Sequence, residues 1–261
     1  MFFSGDTREK LAKSLTAKTT ELIPFLPYLL QDLWELGSIP GDIEALIREH
    51  VKSPGLMSVL DLACGKGAVS VHLAKVFGCR IKGIDFFPEF IEYARRKAEE
   101  FSVSELCKFQ VGDINEAVLS ERGFDMVIFG SVGNVLGNYG RTLNMLRRTV
   151  KDGGYIIIDD AYNREEKDGE YLSIKGWLEL FRKGKVDLLA CKTVDELELA
   201  EMNAVQQASI RRRAEELKLK YPGKSHLFDG YVASQQAECD ELAEEIMGIT
   251  WLLKKQKTEN A

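Results

Sequence analysis

Between residues 56 and 160, short apolar runs alternate with segments whose apolar positions return every three or four residues. The runs are "LMSVLDLA" (56–63), "CRIKGIDF" (79–86), "CKFQVGD" (107–113), "FDMVIFG" (124–130) and, after a Gly-Gly break, "GGYIIIDD" (153–160). Near-continuous apolar runs ended by Gly or Asp suit parallel strands covered on both faces. Between them, Val69, Leu73, Val76 and Phe77 predict a helix over 68–77. Ile91, Ala94, Ala98 and Phe101 predict one over 88–101, with Pro88 in its first turn, and Leu143, Leu146 and Val150 one over 139–150. Strands alternating with helices of this length mean βαβ units and a doubly wound sheet.

The flanks follow other periods. Residues 7–52 look helical, although "ELIPFLPYLLQDLWELGSIPGD" holds three prolines and a dense apolar cluster. "VDLLACKTV" (186–194) reads as a further strand, and the chain is strongly helical from Asp195 to about Met247, broken by "YPGKSH" (221–226). Val232, Gln235, Cys239, Leu242 and Ile246 form a 3-4-3-4 stripe, and "GITWLLKKQ" (248–256) returns to a strand. Four segments result: a helical cap over 1–52, a core over 53–194, a helical insertion over 195–247, and a last strand with its tail over 248–261. The insertion reads as a substrate lid or, through its stripe, as a dimer interface.

Composition narrows the classes of function. A net charge of −6 gives no general attraction to a phosphate backbone, so no nucleic-acid partner is expected. The run Arg211-Arg212-Arg213 reads as a solvated helix face. Five scattered cysteines, never in a CxxC pair, argue against a disulfide framework or a zinc cluster and for a reducing cytoplasm. The start has no apolar signal core and no run approaches membrane-spanning length, so no membrane partner is expected. His50, His72 and His226 have no ligand spacing, so no metal is expected either. His72 reads as helix-surface packing, His50 as exposed, and His226 as within reach of a substrate pocket.

The candidate chemistry lies in "VLDLACGKGAVSVHLAKVFGCRIKGIDF" (59–86). Gly65-Lys66-Gly67 keeps two glycines of a pyrophosphate-binding loop and lacks the third, and a lone GxG also serves as a plain strand-to-helix turn. Three acids discriminate. Asp61 at the mouth of the loop repels a diphosphate and suits a cationic ligand. Asp85 ends the second strand, where a carboxylate can accept both ribose hydroxyls, and Asp113 ends the third, where it can accept an adenine amine. Each acid alone is equally a helix N-cap. Together they describe adenosine with a cationic tail and no phosphate, which is S-adenosylmethionine (SAM).

At these residues the chain resembles class I SAM-dependent methyltransferases. "VLDLACGKGAVS" looks like their first motif, "GIDFFPEFIEYAR" the second and "VGDI" the third. "FDMVIFGSVGNVLG" with "LRRTVKDGGYIIIDD" looks like the fourth and fifth strands. The resemblance is nearest to small-molecule enzymes of the ubiquinone-biosynthesis and cyclopropane-synthase-like kind. It implies an α/β fold, a doubly wound, mostly parallel seven-stranded Rossmann-like sheet with an antiparallel last strand, an N-terminal helical cap and a helical insertion before that strand. It implies that Ala63, Gly65 and Gly67 approach the methionine portion, with Asp61 orienting the loop and the amino group. Asp85 would hold the ribose, Phe86 would cover the adenine, Asp113 would take its amine and Ile114 would pack on the ring. The Phe129 carbonyl and Ser131 would complete the methionine end, and the Lys66 side chain would point to solvent. "GSVGN" in place of Asn/Asp-Pro-Pro-aromatic argues against base-modifying enzymes.

The function implied is methyl transfer from SAM to a small-molecule acceptor, leaving S-adenosylhomocysteine, in a cytoplasmic monomer or homodimer. Asn134, Tyr162 and His226 are candidate catalytic groups, and Tyr28, Trp34 and Asp160 candidate substrate contacts. Two rivals stay open: an NAD(P)-dependent oxidoreductase with a degenerate glycine loop, and a non-catalytic SAM-binding protein.

Overall fold

The computed structural model describes residues 5–166, 169 and 171–257; the outer ends of the first and last segments, 1–4 and 258–261, lie outside them. Seven strands form one sheet: β1 (Ser58–Leu62), β2 (Arg80–Asp85), β3 (Cys107–Val111), β4 (Phe124–Gly130), β5 (Val150–Asn163), β6 (Val186–Thr193) and β7 (Ile246–Lys255). Their order is β3-β2-β1-β4-β5-β7-β6, and β7 runs antiparallel to both neighbours. The strand order reverses between β1 and β4, the switch point where open α/β sheets hold ligands beyond the strand C-termini.

Alternation within the strands divides the core into two layers. Leu60, Leu62, Val127, Phe129, Ile156 and Ile158 face one side, under α6 (Ile114–Ser120), α7 (Tyr139–Thr149) and α8 (Ile174–Lys183). Val59, Ile81, Met126, Ile128 and Ile157 face the other, under α3 (Pro40–His50), α4 (Ala68–Phe77) and α5 (Pro88–Glu100). Two of these helices were not among those predicted above. α6 is only seven residues long. α8 stands alone with Trp177 and Phe181 buried, the Trp177 ring tilted on Trp251 at 5.8 Å and its Nε1 donating to the Ala161 carbonyl at 3.1 Å. β5 begins at Val150 and β7 at Ile246, earlier than the apolar runs imply, because ladder pairing extends past them.

A third core joins the cap to the insertion. α1 (Gly5–Ser14), a 3₁₀ turn (Thr20–Phe25) and the one-turn α2 (Leu26–Leu29) lead into residues 30–39, which carry no helix or strand. α9 (Glu196–Lys220) and α10 (Ser225–Glu244) form an antiparallel hairpin across Pro222–Lys224. Leu22, Leu26, Leu29, Leu30 and Leu33 pack with Phe87 just before α5 and Phe90 within it, Ile210 and Leu217 of α9, and Phe228 and Tyr231 of α10. Burying a side chain of this size stabilises by roughly 1.5–3 kcal/mol. The cap is therefore held to the insertion by apolar area more than by its own short helices. The arginine run is correspondingly less solvated than its sequence suggests: Arg213 Nε and Arg212 Nη2 donate to Asp32 at 2.6 and 2.8 Å, and Arg211 Nη2 to Gln236 at 2.7 Å.

Candidate active site

The turn after β1 carries Ala63 at φ 58°, Gly65 at φ 52° and Gly67 at φ 74°. A side chain at Gly67 would bring its Cβ within 2.8 Å of the Ala94 Cβ, so close packing on α5 demands glycine besides the left-handed backbone. Ser131, directly after β4, also takes a positive φ of 55°. Thus the two non-glycine residues that follow the strands flanking the switch point, Ala63 and Ser131, both hold a left-handed conformation that costs on the order of 1 kcal/mol or more.

The acids lock this turn. Asp85 Oδ2 accepts from the Gly65 N–H at 2.8 Å and Oδ1 from the Phe87 N–H at 3.0 Å, tying the glycine loop to the tip of β2. Burial pushes its pKa up to about 6, against the pull of the Phe87, Gly65 and Phe86 N–H groups. Asp61 is buried and accepts from Ser70 Oγ at 2.6 Å. Burial raises it to about 6 as well; the Ser70 hydroxyl opposes this and the Asp85 charge adds to it. Asp113 caps α6, accepting from the Asn115 N–H at 2.8 Å and its Nδ2 at 2.9 Å. Ile114 is buried in the core beside it, Phe86 packs against the cap–insertion core with its ring edge-on to Phe87 at 5.4 Å, and Phe129 is buried between Leu62 and Ile158 on neighbouring strands.

Lys66 corrects the expectation from sequence. Its side chain turns inward and is 3% exposed. Nζ donates to the carbonyls of Leu30 at 2.6 Å, Gln31 at 3.1 Å and Leu33 at 2.5 Å, with the Tyr93 ring centre at 4.8 Å. Burial lowers its pKa to about 8, and the Asp32 charge partly offsets that.

Beside the loop lies a cavity of about 510 Å³ between sheet, cap and insertion. Ser131, Asn134, Asp159 and Asp160 line it from the sheet side, and Gln207, Gln235, Cys239 and Leu242 from the insertion. The 232–246 stripe is therefore spent inside the chain, and its last member, Ile246, belongs to β7. Of the candidate residues, this cavity gathers Ser131, Asn134 and Asp160. His226 is exposed near the start of α10, and Tyr28 is 39% exposed with its hydroxyl donating to Glu216 at 2.5 Å, so neither lines it. Tyr162 packs against the core around Trp177, and Trp34 stacks on Phe101 at 5.3 Å while donating to the Lys66 carbonyl at 3.1 Å. His72 pairs with Glu44 at 2.6 Å and His50 is exposed, as their positions suggest.

Sequence reasoning missed Asp159. It accepts from Thr250 Oγ1 at 2.8 Å and Ser131 Oγ at 3.1 Å, with Ser38 also bonded, and burial raises its pKa. The doubled acid of "IIIDD" was the available signal, and both of its members line the cavity. Asp160 reaches about 7, through burial first and the Asp159 charge last, against the Ala161 N–H at 2.7 Å. Its Oδ2 has no hydrogen-bond partner among the described residues.

The glycine loop and the cavity thus meet at the switch point of a doubly wound α/β sheet, and comparison with known proteins gives the family. The family model described as "Methyltransferase domain" matches residues 55–208, more than half of the chain, which belongs to that family. The chain is 29% identical over 130 residues to the probable chloroplastic tocopherol O-methyltransferase of Oryza sativa subsp. japonica, covering 50% of this chain and 33% of that protein. It is 31% identical over 102 residues to the demethylmenaquinone methyltransferase of Bacillus licheniformis, covering 38% and 43%. The chain thus spans well under half the length of these relatives. In structure it is similar to SAM-dependent methyltransferases of Thiobacillus denitrificans (TM-score 0.73, 20% identity, 89% of this chain and 98% of that one) and Geobacter sulfurreducens (TM-score 0.75, 18% identity, 89% and 98%), both in complex with S-adenosylhomocysteine.

The raised acids give a test of this electrostatic account. A carboxyl whose folded pKa of about 6 exceeds its ordinary 3.8 binds its proton more tightly when folded, so its contribution to stability falls as pH rises between those values. Asp61→Asn removes the titration and keeps an oxygen for Ser70. The stability of this variant relative to the wild type, by urea denaturation of ligand-free protein, should therefore improve from pH 4 to 6 and then level off. A pH-independent difference would refute the assignment.

Proposed function

We propose that this protein is a SAM-dependent methyltransferase acting on a small molecule held in the 510 Å³ cavity. The observation that carries the reading is the adjacency of the two sites. Gly65, with Asp61 and Ala63, stands at the mouth of β1, and across the switch point Ser131 and Asp159 belong to the wall of a cavity large enough for a small organic acceptor.

The residues present fit an adenosyl cofactor. Asp85 takes the N–H groups of Gly65, Phe87 and Phe86, and the lone-pair capacity a carboxylate has beyond these three would receive a ribose hydroxyl. Asp61, without a basic partner, suits the ammonium of the methionine tail. Ala63, Gly65, Gly67, the Phe129 carbonyl and Ser131 would bring backbone and hydroxyl to that tail. Phe86, Ile114 and Asp113 would meet the adenine. The cofactor brings an already activated methyl group, so the chain must align the acceptor, exclude water and manage a proton. Asp160, near neutrality with one oxygen unpartnered in the cavity wall, is suited to take the proton of an acceptor hydroxyl or amine. Asn134 would orient the acceptor. An NAD(P) role is disfavoured by the buried Asp61 at the loop mouth.

The reading is tested by incubating the protein with methyl-labelled SAM and a metabolite extract, then resolving labelled products by mass spectrometry. Transfer into one acceptor is expected; tight SAM binding with no labelled product would favour a non-catalytic binder, and a thermal shift with NADH but not SAM the oxidoreductase. Asp85→Ala should weaken SAM binding by about 1.5–3 kcal/mol in calorimetry, the worth of hydrogen bonds to a charged group. Unchanged affinity would remove the ribose assignment. With the acceptor in hand, Asp160→Asn should lower kcat roughly 10²–10⁴-fold while sparing SAM affinity. An unaltered kcat would exclude a base at this position.

A further inference from the structure

The segment from Leu30 to Ile39 has no regular structure, so its backbone groups must find partners elsewhere. It finds them at the glycine loop. An ammonium has three N–H donors, and three strap carbonyls, those of Leu30, Gln31 and Leu33, converge on Lys66 Nζ. Trp34 Nε1 returns a bond to the Lys66 carbonyl at 3.1 Å. Further along, Leu36 Cδ1 lies 3.2 Å from where a Gly65 Cβ would stand, and Ser38 Oγ is 2.2 Å from the equivalent point at Gly130. The strap thus crosses the mouths of both β1 and β4. On its outer side Asp32 is gripped by Arg213 of α9 through two bonds of 2.6 and 2.7 Å.

Beneath this strap, the cleft lined by Asp61, Ala63, Gly65 and Ile128 on one side and Leu36 and Ser38 on the other has a volume of only about 50 Å³. Small-molecule sites run to about 300 Å³ or more. Leu30, Leu33, Leu36 and Gly37 of the same strap line the acceptor cavity. One ten-residue segment therefore roofs the cofactor loop and walls the acceptor site; Ser38 ties its end to Asp159, and the three carbonyls at its start are held by one side chain, standing between the two glycines.

We propose that Lys66 is a positioning residue that latches this strap, so that cofactor exchange requires its three carbonyl bonds to release and their re-formation closes the acceptor wall. The inference rests on the SAM reading only for its ligand. The tie itself can be read in ligand-free protein. Lys66→Met keeps length and bulk, removes all three donors, and leaves the Gln31 and Leu33 carbonyls without a partner.

Two measurements test the latch: amide hydrogen exchange over residues 30–39 in free protein, and the release rate of S-adenosylhomocysteine by stopped flow. Lys66→Met should speed both on the order of tenfold, the loss expected for hydrogen bonds to a charged group. If that variant fails to fold, Lys66→Arg serves, because a planar guanidinium cannot aim its donors at three converging carbonyls. Val186→Ala, a buried truncation on β6, supplies a control for general destabilisation and should leave both rates unchanged. Wild-type rates in the Lys66 variants, or equal acceleration in Val186→Ala, would overturn the latch. Faster exchange of the strap with unchanged release would overturn its control of the cofactor. Absence of any S-adenosylhomocysteine binding by wild-type protein would defeat the SAM reading and the gate with it, while strap exchange still reports on the tie.

Discussion

Backbone N–H groups of the glycine loop and of the Phe86-Phe87 turn before α5 converge on the buried carboxylate of Asp85. That convergence fixes the loop after β1 against the tip of β2, and the rest of the site is arranged around it. Without it, three positive-φ residues within five positions would have no reason to hold one conformation. The carboxylate accepts from three N–H groups and keeps capacity to spare, which an amide or a hydroxyl could not do to the same extent.

Charge is concentrated at the C-terminal edge of the sheet and neutralised in different ways. Asp61 and Asp159 take hydroxyl donors, Asp85 takes backbone, and Asp160 keeps one oxygen free. All four sit where burial favours the protonated form. An acidic rim of this kind is costly while empty of cations and becomes favourable around a positively charged ligand, because the same low dielectric that raises the pKa strengthens the attraction. Lys66 does not neutralise this rim. Its charge is spent on the strap carbonyls and the Tyr93 ring.

The sheet was legible because its signals are local. Apolar runs, Gly and Asp at their ends, and 3.6-residue periodicity set β1 to β4 and the helices α4, α5 and α7 within a residue or two, and β5 within three. The placement of the acids was legible for the same reason: Asp61, Asp85 and Asp113 lie in or just after successive strands. α8 was equally legible, since Ile174, Trp177, Leu178 and Phe181 stand at i, i+3, i+4 and i+7, although it is not among the predicted helices. Tyr28, Tyr162 and His226 were poor guides, since which face a lone aromatic or histidine turns to depends on packing that no short window contains.

By itself, then, the sequence determined a doubly wound sheet with a glycine loop and acids at the C-terminal ends of its first three strands, since strand ends and loop glycines are written in consecutive residues. Only the tertiary structure decided what surrounds that set. Lys66 reads as a solvated side chain between two glycines, and it becomes a buried clamp because carbonyls more than thirty positions earlier need donors. Asp159 becomes a partner of Thr250 because β7 returns beside β5 after the insertion. Satisfying buried polar groups is a long-range problem, and its solution appears only when the chain has folded back on itself.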